Sequence, residues 1–377
     1  MVIKNAKICD KDGLRVGNFT IEDRTDNIID ANGAFLIPAL VDLNVRLSDG
    51  VLNSKNIQAV SLQAKKGGVG HIVLNGDSSP AIDSEGILEF AQNGLRDAEG
   101  SKVDLMLNAL QEDGTLSNIA ILLKKGAVNP YMSTKAKNDV AIKIAEYVQM
   151  YKNTLFVKAE DNSLVSSGVM LDGDTSSRLG LAGIPDLSEV LHVSRMIEIA
   201  RHFKIKILFK SIASPRSISL ITQAKKEGVE VSCEVSLHHL INSDEACVGF
   251  NTLAKLDPPL ASKKDMLSLQ DALKNGQIDI LTTLHQPNSP VNKEVAFFDA
   301  AYGCESIANA LPLYYTKLVK TGLIDMKKLI ELTSINPLKV IGKKVSYVLF
   351  NPESKSTITN TQSLYNGEEI YGEVISL

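Results

Sequence analysis

The sequence predicts an α/β protein: a (β/α)8 TIM-type barrel with a small β domain assembled from both ends of the chain. Three observations lead there. Eight short apolar segments of strand character recur between residues 41 and 284. Each is followed by a segment with helical spacing. The stretches before and after this series show no helical period and carry turn pairs instead. Eight strand-then-helix units are the arithmetic of a closed barrel, and 377 residues suit one large α/β domain plus a smaller module. A doubly wound open sheet is the competing arrangement, but no GxGxxG follows the first strand.

From the start of the chain, Met1–Ile8, a turn at Lys11-Asp12-Gly13, then Gly17–Ile21 and Asn27–Asp30 read as short strands, with Asn32-Gly33 a turn pair. The candidate barrel strands are Val41–Leu47, His71–Asn75, Val103–Ala109, Ala127–Tyr131, Thr154–Ala159, Ile205–Ser211, Val229–Val235 and Ile278–Leu284. Between them, helical spacing covers Asn56–Lys66, Ser84–Ala98, Asn118–Lys125, Ala136–Lys152, Asp186–Phe203, Pro215–Glu227 and Ser262–Asn275, with Cys304–Lys320 after the last strand. A further helix, Met326–Ser334, is expected to end the barrel at Asn336-Pro337. The tail returns to β character: Tyr347–Phe350, the turn Asn351-Pro352, Ser356–Thr359 and Ile370–Ile375. Residues 1–38 and 345–377 are therefore expected to pair as one small β-sandwich-like domain, because chain ends often lie close together. Residues 39–344 form the barrel.

Composition narrows the function classes. Hydrophobic residues are 44% and charged residues 22%, ordinary for a globular protein, and the net charge of −4 sets up no field for nucleic acid or an anionic membrane. Cys9, Cys233, Cys247 and Cys304 are scattered without CxxC spacing, which argues against a disulfide framework or a cysteine zinc site. The N-terminus lacks a signal-peptide core, and no run reaches the ~18 apolar residues of a membrane span. A cytoplasmic location is expected.

Within the first barrel strand an apolar run turns into alternation: Leu43, Val45 and Leu47 on one face, Asp42, Asn44 and Arg46 on the other. Residues two apart on a strand project to the same side, so Asn44 and Arg46 point together. In such a barrel, active residues sit at the C-terminal strand ends. The other ends offer Met132 and Ser133, then Lys158 with Glu160 and Asp161, then Lys210 and Ser211, then His238 and His239, and finally Leu284 and His285.

Several segments resemble the dihydroorotase branch of the cyclic amidohydrolases: Ile37-Pro38-Ala39-Leu40-Val41-Asp42-Leu43, Ala159-Glu160-Asp161, the run Leu179 to Pro185, the run Cys233 to Leu240, Lys255-Leu256-Asp257-Pro258-Pro259-Leu260 and Thr333-Ser334-Ile335-Asn336-Pro337. Their order and spacing cover nearly the whole chain. The resemblance implies a barrel of the metal-dependent hydrolase kind. It also implies an activity, since that family uses zinc to open the ring of dihydroorotate to carbamoyl aspartate, or to close it.

Carried over position by position, the resemblance implies a degenerate metal site. The His-x-His of strand one becomes Asn44 and Arg46, and the acidic pair after strand four becomes Met132 and Ser133. The strand-five histidine becomes Lys158, the strand-six histidine Ser211, and the strand-eight aspartate Leu284, beside the surviving His285. Zinc wants neutral imidazole, thiolate or carboxylate. Arg46 has no lone pair to give, Lys158 would first have to lose its proton, and Leu284 can neither bind a metal nor act as a general base. Positions that hold substrate in the family also differ: Ser48, Asp77, Ala261 and Asn288. No zinc or other cofactor is therefore expected.

His238-His239 resembles a metal pair, yet adjacent residues face different ways, so a structural role is expected for both. His285 alone is read as a hydrogen-bonded remnant. Asp77, Glu160 and Asp161 complete the residual pocket, with Arg46 expected to reach Glu160, Asp161 or a small anion held jointly with Lys158. Metal-less members of the family resemble partners of aspartate carbamoyltransferase, and that partnership in an oligomeric assembly is the expected role. The alternative is a working dihydroorotase, or a related cyclic-amide hydrolase, with an unusual metal site.

Overall fold

The structure, a computed structural model, describes residues 1–10, 13–21, 28–96, 98–375 and 377. Lys11, Asp12 and Asn27, from the expected N-terminal turn and strand, lie outside these residues. The eight barrel strands, numbered here one to eight, are Leu40–Val45, Val69–Leu74, Lys102–Leu105 continued by Leu107–Asn108, Pro130–Met132, Thr154–Lys158, Lys206–Lys210, Val231–Ser236 and Ile280–Thr282. Their pairings are parallel. Strand three changes partner at Met106: its amide donates to Leu74 O on strand two, and the amide of Leu107 to Asn129 O next to strand four.

The seam between strands eight and one is bridged by a side chain. Asp42 accepts the Thr282 hydroxyl at 2.6 Å and the Thr283 amide and hydroxyl at 2.9 and 2.5 Å. Asp42 also accepts the amide of Asn44 at 3.0 Å, at a register shift in the pairing of strand one with strand two. This irregularity breaks the simple alternation. Val41 and Leu43 face the barrel interior with Val73, Phe156, Leu208 and Ile280, whereas Val45 and Leu47 pack outward against helices. Asn44 and Arg46 still share a face, but Asp42 leaves it for the seam.

The helices follow the expected segments. Asn53 caps Ser54–Lys66 by accepting the Asn56 amide, and Asp325 caps Met326–Ile330 through Lys328. Two expectations need correction. The segment Cys304–Lys320 becomes helical only at Ile307, because the amides of Ser306 and Ile307 donate to the His285 ring instead of entering a helix. Asn336-Pro337 does not end the last barrel helix. The chain runs through a π-helical turn, Glu331–Ile335, into Asn336–Ile341, and Pro337 follows directly on that turn. Leu338 then plugs the interior at the N-terminal ends of the strands.

Both chain ends build one six-stranded sheet. Val2–Asp10 lies centrally and pairs with Gly13–Thr20, Ile28–Asp30 and Phe35–Pro38, and Phe35–Pro38 pairs antiparallel with Tyr347–Thr357. The expected turn at Asn351-Pro352 is instead an irregularity inside the single strand Tyr347–Thr357, where the register to Glu369–Ile375 shifts. A proline without an N–H is tolerated at such a bulge. Among the described residues, no helix is long and apolar enough to cross a membrane.

Candidate functional site

The strand ends converge on a small polar cluster above the apolar floor of the barrel. Strand one contributes Asn44, whose amide donates to Ser211 Oγ at 2.6 Å and Glu234 Oε1 at 2.7 Å and accepts from Asn75 at 2.8 Å. Strand six contributes Lys210, which is 4% exposed. Its ammonium donates to Leu43 O at 2.8 Å and to Asn75 Oδ1, over the ring faces of Tyr131 and Phe156. Burial pushes Lys210 down and Glu234 up from their ordinary values, each offset in part by the other's charge.

Arg46 lies one level out. It pairs with Asp77 at 2.9 Å, not with Glu160 or Asp161 as the sequence suggested. The reason lies in the loop after strand two. Gly76 passes so close to strand three that a Cβ there would stand 2.5 Å from the Asn108 amide nitrogen, and this approach brings Asp77 to Arg46. Burial opposes both charges, yet each holds the other: Arg46 is raised and Asp77 lowered. Lys158 takes Asp257 at 2.7 Å and Glu160 at 3.4 Å. Burial works against its charge, but the two carboxylates outweigh it and Lys158 is raised; burial in turn raises Glu160.

Asp161 turns away from the cluster to cap the next turn through Ser163. Met132 packs in the outer apolar layer, and the strand-four residue that enters the mouth is Tyr131. His285 is fully buried with Nδ1 accepting two amides, and burial followed by His238 lowers it to about 3. His238 and His239 diverge. The first bonds Tyr365 at 2.7 Å, and the second bonds Ser236 at 2.7 Å and the carbonyls of Pro258 and Pro259. Asn288 serves loop carbonyls, and Ala261 lines a cleft of about 250 Å³ that adjoins the mouth and shares Ala159, Glu160 and Pro258 with it.

Ser211 and Leu284, at the ends of strands six and eight, both adopt left-handed φ, 52° and 50°. That conformation is uncommon without glycine and clusters at functional sites. The backbone is bent as if to present side chains at two positions that now carry serine and leucine.

The residues present do not fit zinc. Around the mouth stand a guanidinium, two ammonium groups, an amide, a hydroxyl and a phenol, and the two carboxylates that line it, Glu160 and Asp257, are taken up by Lys158. Among the described residues, no group of three or more His, Cys, Asp or Glu is arranged to hold a metal ion. The cavity between Asn44, Arg46, Lys158 and Lys210 is about 20 Å³, room for roughly one water.

Sequence reasoning placed Lys210 at a strand end and Asp42 on the polar face of strand one without a partner for either, and assigned no role to Asn75, Tyr131, Glu234 or Asp257. One signal was available: Glu234 and Lys210 are charges inside otherwise apolar strands, and such residues are rarely buried unless paired.

A parallel eight-stranded barrel with its polar cluster at the C-terminal strand ends, joined to a composite terminal sheet, defines the amidohydrolase architecture. Solved structures agree at the level of fold. The L-hydantoinase (dihydropyrimidinase) from Arthrobacter aurescens superposes with a TM-score of 0.86 at 18% identity, covering 99% of this chain and 93% of that one. The dihydropyrimidinase from Brevibacillus agri NCHU1002 gives 0.83 at 18% identity, over 100% and 93%. A family profile described as Dihydro-orotase-like matches residues 33–210. A protein named dihydroorotase from Elusimicrobium minutum is 34% identical over 98% of this chain and 90% of its own length. Another, from Acetivibrio thermocellus, is 34% identical over 85% and 77%. The chain belongs to the dihydroorotase family.

Proposed function

We propose that this chain is a non-catalytic member of its family, acting in pyrimidine biosynthesis as a structural or regulatory partner of aspartate carbamoyltransferase. The observation that carries the reading is the state of the mouth. The positions that would hold metal and base are Asn44, Arg46, Lys158, Ser211 and Leu284, and the space that the first four of them line is about 20 Å³. Small-molecule sites occupy roughly 300–1,000 Å³. With Arg46 on Asp77 and Lys158 on Asp257 and Glu160, the cations are neutralised by protein groups, so a small anion is not needed there.

Two measurements test the reading. Purified protein should carry no stoichiometric zinc and should not turn over dihydroorotate with zinc added; zinc with turnover overturns it. The partner should co-elute with the chain in size-exclusion chromatography, and independent elution at matched high concentration removes the partner role.

One observation favours a second reading, a working dihydroorotase with an unusual zinc site. The left-handed bends at Ser211 and Leu284 keep the backbone of a presenting site. The zinc and turnover measurements separate the two.

A further inference from the structure

We propose that the ammonium group of Lys210 is a built-in cation that holds the barrel's strand ends together where a metal centre would otherwise do so. The proposal rests on the non-catalytic reading only in placing no metal at the mouth.

A metal ion coheres a site by drawing donors from several strands onto one positive centre. Lys210 does the same with N–H donors. From strand six it reaches the Leu43 carbonyl of strand one at 2.8 Å and the Asn75 side chain beyond strand two. It also lies 5.7 and 5.6 Å from the ring centres of Tyr131 on strand four and Phe156 on strand five, within the range of a cation–π contact. Asn44 extends the web by bridging Asn75, Ser211 and Glu234, the last on strand seven. The ammonium of strand six thus touches residues from strands one, four and five and from the end of strand two, and Asn44 adds strand seven.

The charges fit this role. Glu234 is fully buried; its Oε1 accepts from Asn44 while its Oε2 has no hydrogen-bond partner, and the Lys210 charge offsets part of the burial that raises it. The same ammonium disfavours a divalent ion. Lys210, Arg46 and Lys158 line the small cavity and offer no lone pair while protonated, and the carboxylates that line it with them, Glu160 and Asp257, are taken up by Lys158.

The test uses the whole chain and its thermal midpoint, with and without chelator or added zinc. Lys210→Met keeps similar length and apolar bulk and removes charge and donors. It should lower Tm by roughly 4–6 °C, while chelator and zinc leave the wild-type Tm unchanged. If Lys210→Met does not fold, Asn44→Ala removes the three side-chain hydrogen bonds to Ser211, Glu234 and Asn75, and Asn75→Ala removes those to Asn44 and Lys210, while both keep the ammonium. Each should then lower Tm by a few degrees, again without any response to chelator.

A wild-type Tm in Lys210→Met, or in both asparagine variants, overturns the built-in cation and leaves the non-catalytic reading standing. A wild-type Tm that falls on chelation, with zinc in the protein, overturns both. Turnover of dihydroorotate in protein whose Tm ignores chelator and collapses in Lys210→Met overturns only the non-catalytic reading.

Discussion

Asp42, on the first barrel strand, binds Thr283, just past the last, through both its amide and its hydroxyl, at 2.9 and 2.5 Å. At this seam the same carboxylate also serves Thr282 and the amide of Asn44, and the Arg46 amide donates to His285 O at 2.9 Å beside it. Asp42→Ala strips four donors of their acceptor in a buried place. A loss of about 3–5 kcal/mol in urea unfolding is expected, with a smaller loss for Asp42→Asn. A change below about 1 kcal/mol would show that the backbone alone closes the seam.

Arg46 and Asp77 are partly exposed, 16% and 26% of their side chains, so solvent screens them. A double-mutant cycle with Arg46→Met and Asp77→Asn should give a coupling of about 1 kcal/mol that shrinks in high salt. Because the pair lowers Asp77, its stabilisation is present above the ordinary carboxylate pKa. It is lost as pH falls through the depressed value. A coupling indifferent to both salt and pH would contradict this account.

Four imidazoles are buried in the neutral form. Burial lowers His192 and His239 to about 4 and His238 and His285 to about 3. Each therefore contributes stability that is present above pH ~6.5 and is lost as pH falls toward the folded value. Together they should give stability a slope approaching ~5 kcal/mol per pH unit below pH 6. Tm measured from pH 7.5 to 4.5 checks this, and His285→Gln should shallow the fall by about one proton.

Glu189 tests the opposite sign. Burial raises it to about 7 although it accepts the amides of Ala213 and Ser214. Its contribution is full below the ordinary glutamate pKa and is lost as pH rises through 7. Glu189→Gln should remove that alkaline decline, seen as a flatter Tm between pH 6 and 8.

Gly76→Ala should cost about 1–3 kcal/mol, since its Cβ would stand 2.5 Å from a backbone nitrogen that cannot swing aside. It should also weaken the Arg46–Asp77 coupling, because the same loop positions Asp77. An unchanged coupling in the Gly76→Ala background would separate the two.

The barrel was legible in the sequence because each strand and helix carries its own period, and local apolar spacing survives in the fold. The mouth was legible only where parity holds. Asn44 and Arg46 do share a face, but parity could not show that Asp42 leaves it at a register shift. Nor could it show that Asp77, brought in by a glycine crossing, takes Arg46 away from Glu160. Lys210 carried no visible role because its partners lie on strands one and two, far away in sequence. The helix boundaries near His285 and Pro337 were missed for a related reason: tertiary bonds to a ring nitrogen, and a π-turn, decided them.

The pairing of Phe35–Pro38 with Tyr347–Phe350 has a consequence for folding order. A growing chain makes the barrel's first strand and the sheet strand just before it early, but that edge has no partner on its open side until almost everything else has been made. Its apolar residues, Leu36 and Ile37 among them, must wait through the synthesis of the whole barrel. Contacts of such long sequence separation form slowly, so the terminal sheet is the last part to lock and the part that a shortened chain would leave open.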